Sequence, residues 1–155
     1  SGIDALIARE PKNPYFYELK GQMLVEFGRV SDALAPYRTA VSLVPDAGLI
    51  RTALAHTEIE TAGSHRDRLE NAIANLMRAQ KTEPRSPRID RLLATAYGRM
   101  GNDPAARLFL AEEAVLQRKT AYARSQAQVA LKGLPENSPL WLRAKDVLAY
   151  LDTQN

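Results

Sequence analysis

Three stretches of this 155-residue chain carry the same residue classes at the same gaps, and that internal repeat limits the possible folds more than any other feature. Gly21, Ala33, Tyr37, Ala40 and Pro45 are separated by 12, 4, 3 and 5 residues. Ala72, Leu76, Ala79 and Pro84 repeat the last three gaps, and Ala111, Ala123, Ala127, Ala130 and Pro135 repeat all four. Gaps of three and four put side chains on one face of an α-helix, so each copy predicts a helix that stops at its proline. The small residue upstream belongs to a partner helix. Small side chains let two helices approach closely, while the large residue fills the space toward the next pair.

The segment from Asn13 to Asp46 shows the unit most clearly. Asn13 is read as the N-cap and Pro14 as the first helical position, with Phe16, Leu19, Met23, Leu24 and Phe27 at helical spacing before Gly28 stops the run. Ser31 is read as the cap of a second helix carrying Ala33, Leu34, Tyr37, Val41 and Val44, with Pro36 close enough to its start to be tolerated. Pro45 to Pro84 spans 39 residues, and the excess over one period fits a stretched turn at 61–66. Pro84 to Pro135 spans 51, which requires three helices where two are usual: Pro87 to Met100, Pro104 to Gln117 and Thr120 to Leu134. The middle one then serves as second helix of one hairpin and first helix of the next. Glu113 stands where that register asks for alanine. Ser138-Pro139 opens a final helix suited to cap the array, and IDALIARE at the start reads as the tail of a helix.

The order small, Ala, large apolar, Ala, Pro resembles the tetratricopeptide signature, whose period is about 34 residues. That resemblance implies an all-α chain of about four antiparallel helix hairpins stacked into a right-handed superhelix with a C-terminal capping helix. The repeats fall near 14–46, 48–85, 87–118 and 104–136, with the cap at 138–152, in a single domain over 1–155.

Composition narrows the function classes. At 45% apolar and 25% charged the chain has enough material for a continuous core, and no run of 18 apolar residues encodes a membrane span. The absence of cysteine removes disulfides, thiolate zinc sites and cysteine nucleophiles together. Net charge is only +3, too small to argue for nucleic acid, but it is unevenly placed: residues 1–77 hold 8 basic and 10 acidic side chains, residues 78–155 hold 13 and 8. The chain begins Ser1-Gly2 with neither a basic n-region nor an apolar h-region, which reads as a piece of something longer.

Catalysis has little to build with. His56 and His65 lie outside any HExxH pattern, although His56 and Glu60 share a helix face and would make, with His65, a conceivable zinc trio; solvated histidines are the plainer reading. Carboxylate pairs occur at Glu58 with Glu60, Glu112 with Glu113, and Glu18 with Glu26, as they do on many helical surfaces. No GxSxG elbow or glycine-rich phosphate loop is present. This stretch is therefore expected to be non-catalytic, with no cofactor of its own.

Recognition has more to work with. In such arrays the exposed positions of the first helices line the usual peptide-contact face. Register from the small residues selects Tyr15, Glu18, Gln22 and Glu26, then Leu49, Thr52, His56 and Ile59, then Arg88, Arg91, Thr95 and Arg99. Tyr15 is the contact candidate of the Tyr15-Phe16-Tyr17 run, with Phe16 and Tyr17 assigned to packing. Tyr37, Tyr97, Phe109 and Trp141 are assigned to the core. Arg88, Arg91 and Arg99 form a stripe able to grip an acidic segment through bidentate hydrogen bonds; a solvated helix face is the competing reading, and both stand. The stripe holds no aromatic residue, which argues against single-stranded nucleic acid.

Three segments go further. ELKGQ at 18–22, AYGRMG at 96–101 and SPLWLRAKDVLA at 138–149 resemble the carboxy-terminal tetratricopeptide domain of periplasmic zinc metallopeptidases of the beta-barrel assembly-enhancing protease type. The resemblance implies a zinc-bearing catalytic domain upstream, a periplasmic location, and partners that are client proteins, outer-membrane assembly proteins or the protease domain itself. None of the family's HExxH ligands is present, so no catalytic residue carries over. Glu18, Gln22, Thr52 and His56 occupy the registers where a chaperone-tail binder of the carboxylate-clamp kind holds lysine and asparagine, which argues against that role. A free-standing scaffold is the alternative within the same fold.

Overall fold

The computed structural model describes residues 2–154, and all the regular structure among them is helical. The helices are α1 (Gly2–Arg9), α2 (Pro14–Glu26), α3 (Val30–Leu43), α4 (Gly48–Thr61), α5 (Arg66–Thr82), α6 (Pro87–Arg99), α7 (Asp103–Leu116), α8 (Thr120–Gly133) and α9 (Pro139–Asp152). They form two compact units that meet in sequence at Pro84 and Arg85.

Four helices begin by the same device, a polar N-cap followed by proline in the first two positions. Asn13 Oδ1 accepts from the Tyr15 amide at 3.0 Å, Ser86 Oγ from Ile89 at 3.3 Å, Asn102 Oδ1 from Ala105 at 3.2 Å and Ser138 Oγ from Trp141 at 3.3 Å. Ser31 is not a cap: α3 starts one residue earlier, behind Arg29, and no side chain caps it. Arg29 instead pairs with Asp32 at 2.9 Å, a first-turn carboxylate that suits the positive end of the helix. Pro36 lies buried inside α3, which continues past it to Leu43.

In the first unit consecutive helices pack on each other from α1 through α5. The core between α2, α3 and α4 consists of Ala33, Leu34, Tyr37, Ala40, Val41, Ile50 and Leu54, with Tyr17, Leu24 and Val25 against its edge. The small residues mark the closest approaches. Gly21 of α2 lies against the ring of Tyr37, and Gly48 of α4 lies against Thr82 and Glu83 at the end of α5. In the second unit α7 packs along both α6 and α8 and also touches α9, while α8 packs on α9. Leu93, Ala96, Leu108, Phe109, Ala123, Ala127, Ala130 and Ala144 are buried there. Phe109 stacks on Tyr97 with ring centres 5.6 Å apart, and the Arg143 guanidinium lies 5.0 Å above the same ring. Trp141 is only partly buried and carries Lys145 over its ring at 5.5 Å. α9 is less polar outside than a cap would be, since Leu142 and Tyr150 are exposed.

Candidate functional site

In the first unit the expected contact residues divide by their position on the helix. Tyr15 is 63% exposed at the second position of α2, Glu18 is partly exposed, and Gln22 and Glu26 are exposed along the same helix. On α4, Leu49 is 67% exposed, again at the second position, and His56 is half exposed, its Nε2 2.8 Å from Glu60 Oε1. Thr52 is a correction. It is buried, and its hydroxyl donates to the Gly48 carbonyl at 2.8 Å. Gly48, one turn earlier on the same face, is held against the end of α5, so Thr52 is turned into the α4–α5 contact rather than toward a partner. Ile59 is buried as well.

The α4–α5 contact also holds a polar chain that composition did not reveal. Arg51 Nη1 donates to Asn75 Oδ1 at 2.6 Å, and Asn75 Nδ2 donates to Glu58 Oε1 at 2.8 Å. Burial pushes the Glu58 carboxyl above its ordinary range, against the Asn75 hydrogen bond and the nearby charges of Arg38 and Arg68. Burial likewise lowers the Arg51 guanidinium, helped by the charge of Arg78. Glu58 and Glu60, paired in the sequence, thus serve different contacts. His65 Nδ1 lies 3.1 Å from the Ala62 carbonyl, and among the described residues no three histidine or carboxylate side chains gather as a metal site.

In the second unit Arg88, Arg91, Thr95 and Arg99 are all exposed along α6. Thr95 donates its hydroxyl to the Arg91 carbonyl at 3.0 Å. Arg91 needs a correction: its guanidinium is already engaged. Nε and Nη2 reach the two oxygens of Glu113 at 3.1 and 2.9 Å, although Arg91 stays 60% exposed while Glu113 is buried. The neighbouring Glu112 points elsewhere and takes a bidentate grip from Arg143, with Nε 2.9 Å away. Adjacent residues on a helix diverge by about 100°, so this carboxylate pair ties α7 to two different helices and is no acid–base couple. Burial raises the Tyr97 phenol, opposed by Arg143.

Around the Arg91–Glu113 pair an open cleft of about 530 Å³ is lined by Gln117, Lys119, Thr120 and Tyr122 as well. Glu113, Lys119 and Tyr122 were not among the expected site residues. Their signal was available in part: Glu113 occupies a position reserved for alanine, and a charge at such a position needs an arginine within reach.

The two units have the tetratricopeptide-repeat fold. No family model matches the chain, and no curated protein matches it. Among solved structures, that of MamA superposes with a TM-score of 0.70 at 16% identity, covering 98% of this chain and 84% of that one. TTC0263, described as a thermophilic TPR protein in Thermus thermophilus, superposes with a TM-score of 0.53 at 20% identity, covering 95% and 87%. At such identities the likeness establishes fold.

Proposed function

We propose that this chain is a non-catalytic protein-interaction module. The observation that carries the reading is the exposure of Tyr15 and Leu49, 63% and 67%, each at the second position of the first helix of its hairpin. Single exposed apolar residues are ordinary on protein surfaces, but the same register repeated in two hairpins of an interaction fold is what a recognition face requires. The charged groups that could have served catalysis are spent on helix contacts: Glu58 on Asn75, Glu112 on Arg143 and Glu113 on Arg91.

The finer reading is that the module serves a periplasmic zinc metallopeptidase of the beta-barrel assembly-enhancing type, engaging its protease domain, client proteins or outer-membrane assembly proteins. It is supported by the resemblance of ELKGQ, AYGRMG and SPLWLRAKDVLA; on this reading the zinc belongs to the upstream catalytic domain. Among the described residues no helix is long and apolar enough to cross a membrane. A free-standing scaffold is the second reading, and the tetratricopeptide fold of the solved neighbours is compatible with it. The two differ in what precedes Ser1 in the gene: an in-frame HExxH supports the protease, an immediate start codon the scaffold.

The immobilised chain should retain the zinc protease domain or an outer-membrane assembly protein from periplasmic extract. Changing Arg88, Arg91 and Arg99 together to Glu should release it. Retention that ignores the triple variant would remove the arginine stripe from the interface, and no specific retention would refute the finer reading.

A further inference from the structure

We propose that the cleft between α6, α7 and α8 takes an acidic polypeptide segment, whose carboxylates meet Arg91 and Lys119. The inference names the partner chemistry of the protein-interaction reading and rests on that reading.

Charge selects this occupant. Among the described residues the one carboxylate lining the cleft, Glu113, has both oxygens engaged by Arg91. Lys119 lines the opening, and Arg118 precedes it in the exposed α7–α8 turn. The surroundings are therefore positive in excess of what Glu113 neutralises, and an acidic segment complements them. Arg91 is prepared for a second carboxylate. A guanidinium is a planar fork of five donors, and bonding through Nε and Nη2 leaves the Nη1 edge directed away from Glu113 while that bond fixes the plane. Tyr122, 47% exposed, offers a flat wall for an apolar neighbour in the segment.

The turn beside the cleft adds an independent sign. Arg118 holds φ at 60°, where Gly28 and Gly101 hold 78° and 80° in the corresponding turns after α2 and α6. All three turns close alike: the Arg29 amide donates to Leu24 at 2.8 Å, Asn102 to Tyr97 at 2.9 Å and Lys119 to Ala114 at 2.8 Å. A side chain is disfavoured at that φ, so the chain keeps an arginine next to the cleft where its own turn design prefers glycine.

The test is fluorescence anisotropy with the full chain and a fluorescein-labelled peptide of alternating glutamate and leucine, beside versions with glutamine or lysine in place of glutamate. The glutamate peptide should bind at least about tenfold more tightly than the glutamine one, with the lysine peptide weakest. Arg91→Glu combined with Lys119→Glu should weaken it by about tenfold or more, whereas Lys132→Glu, on the exposed last turn of α8, should change it by less than about twofold. Arg118→Gly should raise the melting temperature and yet weaken binding, a combination that a purely structural role for Arg118 would not give. Equal binding of the glutamine peptide would overturn the proposal, as would indifference to the Arg91 and Lys119 changes. Failure of all three peptides, with partner capture by the chain intact, would overturn it and leave the interaction reading standing.

Discussion

A methyl group on Gly21 would lie 2.7 Å from Cε1 of Tyr37 and 2.8 Å from two further ring carbons, and the ring is buried with little room to yield. Gly21→Ala therefore sets a helix-propensity gain of about 1 kcal/mol against an overpacking cost of about 1–3 kcal/mol. The variant should be destabilised by up to about 2 kcal/mol in urea titration; a gain in stability would show that α2 and α3 are not in close contact there. Glu58 makes a pH-dependent case. Its carboxyl holds a proton more tightly folded than unfolded, so its contribution is most favourable in acid and is lost as pH rises through its ordinary value of 4.5 and beyond. Glu58→Gln should be at least as stable as the parent at pH 7, by up to about 1 kcal/mol, and the parent should gain on the variant as pH falls. Thermal melts across that range check the sign; a variant that loses stability at pH 7 and recovers in acid would contradict it. Such residues were only partly legible. The glycine and tyrosine announced themselves through spacing, whereas the burial of Glu58 and Thr52 depends on how tightly Gly48 draws α4 onto α5, which no local pattern encodes.

Among the elements, α7 has the most to hold. It packs on α6, α8 and α9, and consecutive glutamates tie it to Arg91 on one side and Arg143 on another. Arg143 also covers the face of Phe109, so it binds α9 through charge and ring contact together. Arg143→Ala should cost about 1–2 kcal/mol and should show in hydrogen exchange as lost amide protection in α9 before the other helices of its unit. Unchanged α9 protection would mean the contact is ornamental. Helix starts were readable wherever asparagine or serine precedes proline, because cap and ring act locally. α3, α4, α5 and α8 have no side-chain cap, and there the sequence could place the helix but misjudged the start of α3 by assigning the cap to Ser31. The pairing of Glu113 with Arg91 was out of reach for a related reason: it joins residues 22 apart, and only the packing of α6 on α7 brings them together.

At the scale of the molecule, the repeat spacing made the all-helical tetratricopeptide fold legible, since within each unit successive helices bury their apolar faces on their sequence neighbours and the period of the pattern is the period of the packing. The site was less so, because exposure is decided by rotation about each helix axis. Tyr15, Gln22, Arg88, Arg91, Thr95 and Arg99 proved exposed, Glu18 and His56 half covered, and Thr52 buried. The central claim is that the exposed register of the first helices touches another polypeptide. Site-specific photocrosslinking in the producing cell tests it most directly, with p-benzoylphenylalanine placed in turn at Tyr15 and Leu49 and, as comparison, at the exposed Arg38 and Asn71 of α3 and α5. Discrete protein adducts at the first two positions and none at the others are predicted; adducts absent from Tyr15 and Leu49, or equal at all four, would contradict it.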